Sequence, residues 1–168
     1  MASPPFEIYF TGRDDPRDCI IIGEDMQPVF FEFETQCLSP STVRTTISSN
    51  RNPVAAFDWG ANGASLGVAT IGNREIPMAQ LVQPGSPGAR RFTSADGNLY
   101  EWRRCHSDPR SYELFAAPNM KIAFFRWFSQ QTPIGPSHGT LEYSFSHDLL
   151  LLEALLALNL NRWLDWTA

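Results

Sequence analysis

The sequence predicts a mostly β domain of the α+β class, a closed antiparallel β-barrel enclosing one hydrophobic C-terminal helix. Three observations carry this. Residues 6–145 alternate apolar and polar side chains with period two between turn residues, which is the pattern of antiparallel strands. Residues 149–164 then lose that period and become apolar on nearly every side. The lengths also match, because sixteen helical residues rise about 24 Å, roughly the length of a seven-residue strand.

Phe6, Ile8 and Phe10 share one face of the first segment, with Glu7 and Tyr9 on the other. Residues 19–22 form a short apolar strand, which Gly23-Glu24-Asp25 turns into residues 29–35, where Val29, Phe31 and Phe33 alternate with Glu32 and Glu34. Residues 42–48 are rich in β-branched side chains that suit a pleated surface. Segments 54–59, 65–71 and 75–82 continue the pattern up to the Pro/Gly loop 83–88. Residues 91–94 and 99–104 form the clearest hairpin, since Asp96-Gly97 suits a two-residue turn. A second hairpin joins 112–116 to 121–128 around Pro118-Asn119, and a loop over 132–139 precedes the last strand, 140–145.

Ser146 is placed to cap the helix, and Asp148 suits the positive end of its dipole. Nine leucines follow between Leu149 and Leu164, and their burial is worth roughly 14–27 kcal/mol of gross hydrophobic stabilisation. A membrane span needs about 20 largely uncharged residues, and Glu153, Asn159, Asn161 and Arg162 interrupt this run. The helix is therefore expected to be the core of the barrel.

The chain has 168 residues, enough for one domain, residues 1–168, that needs no disulfide or metal staple. A net charge of -5 argues against a nucleic-acid partner, which selects for a basic surface. Cys19, Cys37 and Cys105 are few and widely spaced, unlike a secreted disulfide framework. The first ten residues lack the basic and apolar regions of a signal peptide, so the expected location is cytoplasmic.

Several motifs together resemble a known family. Asp15-Pro16-Arg17-Asp18, Ile22-Gly23-Glu24-Asp25 and Pro28-Val29-Phe30 open it. Ala56-Phe57-Asp58-Trp59, Arg74-Glu75-Ile76-Pro77, Arg91-Phe92-Thr93 and Asp96-Gly97-Asn98-Leu99-Tyr100-Glu101-Trp102-Arg103 follow in order, ending in the leucine-rich helix. The set resembles DUF6593, a fungal, mainly basidiomycete, family of uncharacterised domains, over nearly the whole chain. Met26 departs from it, standing where the family has Gly. The resemblance implies kinship with the tubby C-terminal, LURP-one and phospholipid-scramblase folds, hence a tubby-like barrel threaded by its last helix. It implies no settled activity, and no phosphoinositide-binding motif of tubby is matched here.

Candidate chemistry is sparse. Gly135-Pro136-Ser137-His138-Gly139 matches the nucleophile elbow of serine hydrolases, but the elbow needs a strand before it and a helix after it. Here prolines precede the serine and a strand follows, so a plain loop is the better reading. Cys105-His106 offers a thiol beside a base, yet neighbours on a strand face opposite ways. The histidines have no metal-ligand spacing, and neither a metal nor a cofactor is expected. Asp14, Asp15 and Asp18 lack the spacing of a calcium loop and read as a turn.

A two-residue Asp96-Gly97 loop would set Arg91 over Trp102 and Arg90 opposite Arg103, a like-charge pair that calls for compensation by Glu101, another acidic strand or a bound anion. Arg90 and Arg103, with Arg104, Lys121 and Arg126 nearby and Trp102 and Trp127 among the abundant aromatics, are the expected ligand-binding set. Strand alternation puts Phe125 and Trp127 on the face of Lys121, and Phe124 and Phe128 on that of Arg126. The leading expectation is a non-enzymatic domain that binds a lipid or an apolar or anionic small molecule. A peripheral membrane surface and a homodimer are compatible partners. Two alternatives stand beside it. One is a cofactor-independent cyclase or isomerase of fungal secondary metabolism, with Asp58, Glu101 or His106 as acid or base. The other is an interaction module without a pocket.

Overall fold

In the computed structural model, which describes residues 6–23, 30–132 and 135–167, the alternating segments form one antiparallel sheet of thirteen strands. In chain order these are β1 (Phe6–Thr11), β2 (Cys19–Gly23), β3 (Phe30–Ser39), β4 (Thr42–Ser49), β5 (Asn52–Gly60), β6 (Ser65–Ile71) and β7 (Arg74–Pro77). Then come β8 (Gln83–Pro84), β9 (Ala89–Thr93), β10 (Leu99–Arg104), β11 (Tyr112–Ala116), β12 (Met120–Thr132) and β13 (Gly135–Tyr143), followed by α1 (Asp148–Thr167). The turn Gly23-Glu24-Asp25, Met26, Val29 and Pro133 fall wholly or partly outside the described residues.

Spatially the order is β7-β6-β5-β4-β3-β2-β1-β13-β12-β11-β10-β9-β8. The sheet is thus two meanders joined by the single non-sequential pair β1–β13, in which Ile8 lies opposite Leu141 and Phe10 opposite Gly139. β7 and β8, consecutive in the chain, lie at opposite edges. The few residues between Pro77 and Gln83 span at most about 20 Å, so the sheet must curl until its edges face each other.

The expected barrel does not close. No pairing joins β7 to β8, and the sheet stays open along that seam. Proline ends β7 and makes up half of β8, and it has no N–H to give to a ladder. What reads as one strand over 75–82 breaks at Pro77 into β7 and a short 3-10 turn, Met78–Leu81, whose Met78 and Leu81 are buried in the seam. Register shifts at Leu114/Phe115, Trp127/Gln130 and Ile47/Ser48 add the local bends that such curvature needs.

The open sheet still encloses the helix. Every residue from Leu150 to Trp163 is buried, the five from Ala154 to Leu158 completely, against inward faces such as Ile8 and Phe10, Phe57 and Trp59, and Tyr112 and Leu114. The helix has no wet face until its ends, where Leu149 is exposed and Leu164 half-buried. Among the described residues no helix is long and apolar enough to cross a membrane. His147 caps α1 instead of Ser146, its Nδ1 accepting from the N–H of Leu150 at 3.2 Å. The expected 132–139 loop is largely strand, since β12 runs to Thr132 and β13 begins at Gly135.

Candidate functional site

The β9–β10 hairpin turns through three residues, not two. Ser94 N–H donates to the Asn98 carbonyl at 2.8 Å and Gly97 N–H to the Ser94 carbonyl at 3.0 Å. Gly97 sits at φ 88°, the left-handed position such a loop requires. The Asp96 carboxylate accepts from the Ser94 hydroxyl and draws the loop together. One extra loop residue moves every pairing by one. Arg91 lies opposite Glu101, Arg90 opposite Trp102 and Arg103 opposite Ala89. The expected Arg90–Arg103 and Arg91–Trp102 pairs do not form.

Strand alternation then divides the arginines between two faces. Arg90, Trp102 and Arg104 serve the helix. Trp102, 1% exposed, donates its indole N–H to the Ala154 carbonyl at 3.1 Å. Arg90 reaches Asp165 and Asn161, both at 3.0 Å, and Arg104 lies 3.5 Å from Asp165. The Tyr112 hydroxyl donates to the same carboxylate at 2.6 Å, and burial followed by that bond pushes its pKa upward, keeping it a donor. These contacts moor the last turns of α1.

Arg91, Glu101 and Arg103 line a cleft on the outer wall. The segment between Gln83 and Gly88 folds over Glu101, whose Oε2 accepts from the Ser86 N–H at 3.0 Å and whose Oε1 accepts from the Ser86 hydroxyl at 2.8 Å. Gly85 makes this approach possible, since a Cβ there would lie 2.4 Å from Glu101 Oε2. Arg103 donates to Glu101 at 2.7 Å and to Asn119 at 2.8 Å, and its guanidinium lies 3.8 Å from the Phe115 ring centre. Burial raises the Glu101 pKa, but the bonds from Ser86 and Arg103 outweigh it, so the carboxyl is held below its ordinary value. Leu99, Phe115 and Pro118 complete a cleft of about 210 Å³.

The other expected site residues lie apart. Lys121 is paired with Glu113 at 2.7 Å, and a bulge in β12 turns it outward beside Phe124, not onto the face of Phe125. Arg126 is exposed between Phe124 and Phe128. Trp127 gives its indole N–H to Asp14 at 2.9 Å and carries Arg110 on its ring at 3.7 Å. Asp58 is bound to Arg44 at 2.7 Å on β5, and His106 is exposed beyond β10. Asp58 is engaged by Arg44, and Glu101 by Ser86 and Arg103, so the three do not form an acid–base set. Burial pushes the Cys105 thiol up, away from a reactive thiolate. Ser137 is buried in β13 with its hydroxyl on the carbonyls of Phe10 and Gly139, and no helix follows to make an elbow.

A second cluster gathers round Asp14, in the turn between β1 and β2. Its carboxylate meets Arg162 at 3.0 Å, His138 at 3.3 Å and Arg110 at 3.8 Å, besides Trp127. Trp166 lies under both guanidinium groups, 4.0 Å from Arg110 and 4.6 Å from Arg162. The signal for it was the polar interruption at Asn159, Asn161 and Arg162 in the leucine run, which marks where the helix meets charge.

Set against known protein families, residues 14–156 match the family described as a family of unknown function, DUF6593. The chain belongs to that family. The matched DUF6593 region takes in Asp14, the whole outer cleft and α1 as far as Leu156. No curated protein and no solved structure matches this DUF6593 member.

Proposed function

We propose that this DUF6593 domain is a non-enzymatic binding module that takes a lipid or another small molecule in the outer cleft at Glu101. One observation carries the reading. A fixed carboxylate, two guanidinium groups and the apolar side chains of Leu99, Phe115 and Pro118 face one concave space of about 210 Å³. Mixed linings of this kind orient a ligand through a few polar groups and hold it by apolar contact. The space is below the ~300–1,000 Å³ usual for drug-sized ligands, so it suits a head group or a short molecule, not an enclosed acyl chain. α1 fills the interior with side chains.

Kinship with the tubby and scramblase folds, a fungal source and a cytoplasmic location belong to the same proposal. The helix held inside an antiparallel sheet supports the first, and the free thiols Cys19, Cys37 and Cys105 support the last.

Titration of the isotope-labelled protein with short fatty acids, their alcohols and phospholipid vesicles, followed by backbone NMR, tests the reading. Saturable shifts centred on Ser86, Glu101 and Phe115 are expected. Folded protein with no saturable shift in any arm would overturn it.

A further inference from the structure

We infer that the ligand of this cleft is an organic oxyanion, a carboxylate or phosphate monoester, whose head is gripped by the outer end of the Arg91 guanidinium and whose apolar stem lies along Leu99 and Pro118. This rests on the cleft being the ligand site, and it names what the site reads.

Arg91 is the under-used cation. Its ion-pair partner Glu101 Oε2 lies 3.6 Å away, too far for a hydrogen bond, and its side chain is 39% exposed on the cleft. Glu101 cannot come closer to satisfy it, because Ser86 and Arg103 already hold both carboxylate oxygens in place. The outer end of a guanidinium presents two parallel N–H groups, and a planar carboxylate or a phosphate accepts both.

Charge points the same way. Arg91 and Arg103 against Glu101 leave the cleft one positive charge in excess, and the neighbouring Lys121–Glu113 pair is neutral. A cationic ligand would have to displace Arg103 or the Ser86 bonds to reach the carboxylate. A neutral ligand would leave that positive charge unbalanced. Leu99, 36% exposed, and Met120, 59% exposed, stand along the β10 and β12 ends, so a longer stem has an apolar exit from the cleft.

The test uses the full chain with hexanoate, hexyl phosphate and hexanol, and with phosphatidylcholine vesicles containing or lacking phosphatidic acid. Both hexyl anions are expected to bind at least about tenfold more tightly than hexanol, as a charge-assisted bidentate contact requires. Arg91→Gln is expected to lose that margin, Arg91→Lys to lose most of it because the fork is gone, and Arg126→Gln to keep it. Circular dichroism establishes that each variant is folded. Binding of the soluble anions alone identifies a free acid or ester as the source, whereas recruitment only to vesicles with phosphatidic acid identifies a lipid. Hexanol binding as tightly as hexanoate, or Arg91→Gln retaining the anion preference, would overturn the oxyanion while leaving the cleft as a ligand site. Loss of all binding, neutral and charged, would sink the cleft itself.

Discussion

The fully buried guanidinium of Arg162 on α1 lies 3.0 Å from the carboxylate of Asp14, in the turn that leaves β1. Arg162 also reaches Asn159 at 3.3 Å and faces the rings of Phe125 at 4.8 Å and Trp166 at 4.6 Å. Burial lowers its pKa, and the charge persists because Asp14 and the aromatic faces replace its water. Removing one partner of a buried pair costs about 3–5 kcal/mol, since the other is left uncompensated. Asp14 itself is partly wet, so Asp14→Ala is expected to destabilise the domain by somewhat less, about 2–3 kcal/mol, in urea unfolding. Arg162→Met with Asp14→Ala should cost clearly less than the sum of the single changes.

His138 gives the same cluster a pH dependence. Burial lowers its pKa, with Asp14 at 3.3 Å opposing the shift and Arg162 reinforcing it. The folded state thus prefers the neutral ring. The sign follows from linkage: the contribution is complete above the unfolded value of about 6.5 and is lost as pH falls toward the lowered folded value. Unfolding free energy should decline below that pH, and His138→Gln should flatten the slope there. An unchanged slope in the variant would remove His138 as its cause.

Much of this architecture was legible in the chain. Strand alternation located Phe6, Ile8 and Phe10, the pairs around Phe31 and Phe33, and the leucine helix, because period and burial are local consequences of side-chain order. Closure was not legible. Whether two edges pair depends on N–H groups at one seam, and Pro77 and Pro84 remove them there. The cleft was half legible: Arg103 and Glu101 stood out, but Arg91 could be matched to Glu101 only once the hairpin loop was known to hold three residues. A single-residue error in register exchanges partners throughout a hairpin. The Asp14 cluster joins residues more than a hundred positions apart, which no local pattern reveals.

Gly85 and Glu101 act together in shaping the cleft. A Cβ at Gly85 would sit 2.4 Å from Glu101 Oε2, so Gly85→Ala must lift the covering segment or push the carboxylate aside. Weaker binding of any cleft ligand and a loss of about 1–3 kcal/mol are expected, the cost of leaving buried polar partners unmade. Glu101 adds its own pH signature. Its lowered pKa means the stabilisation is present above the unfolded value of about 4.3 and lost as pH falls through the folded one. Glu101→Gln should reduce stability at neutral pH and shrink the loss on acidification below about 4.3.

Two ion pairs of nearly equal length should differ widely in worth. Arg44 meets Asp58 at 2.7 Å with both side chains a third or more exposed, whereas Arg74 meets Glu153 at 2.8 Å with the carboxylate only 1% exposed. Glu153 also accepts from the Ala95 N–H at 3.3 Å, so it ties β7, on one side of the seam, and the β9–β10 turn, on the other, to the helix between them. Exposed pairs contribute about 0–1 kcal/mol because water and salt screen them. Arg74→Ala strands a buried charge and should cost about 2–3 kcal/mol, somewhat below a fully buried pair because Arg74 itself is partly wet. Arg44→Ala should cost less than about 1 kcal/mol. Hydrogen exchange supplies the sharper measure. With Arg74 removed, amides of β7 and of Ala95 should lose protection together, since one carboxylate holds both; independent loss would show that Glu153 does not couple the two edges.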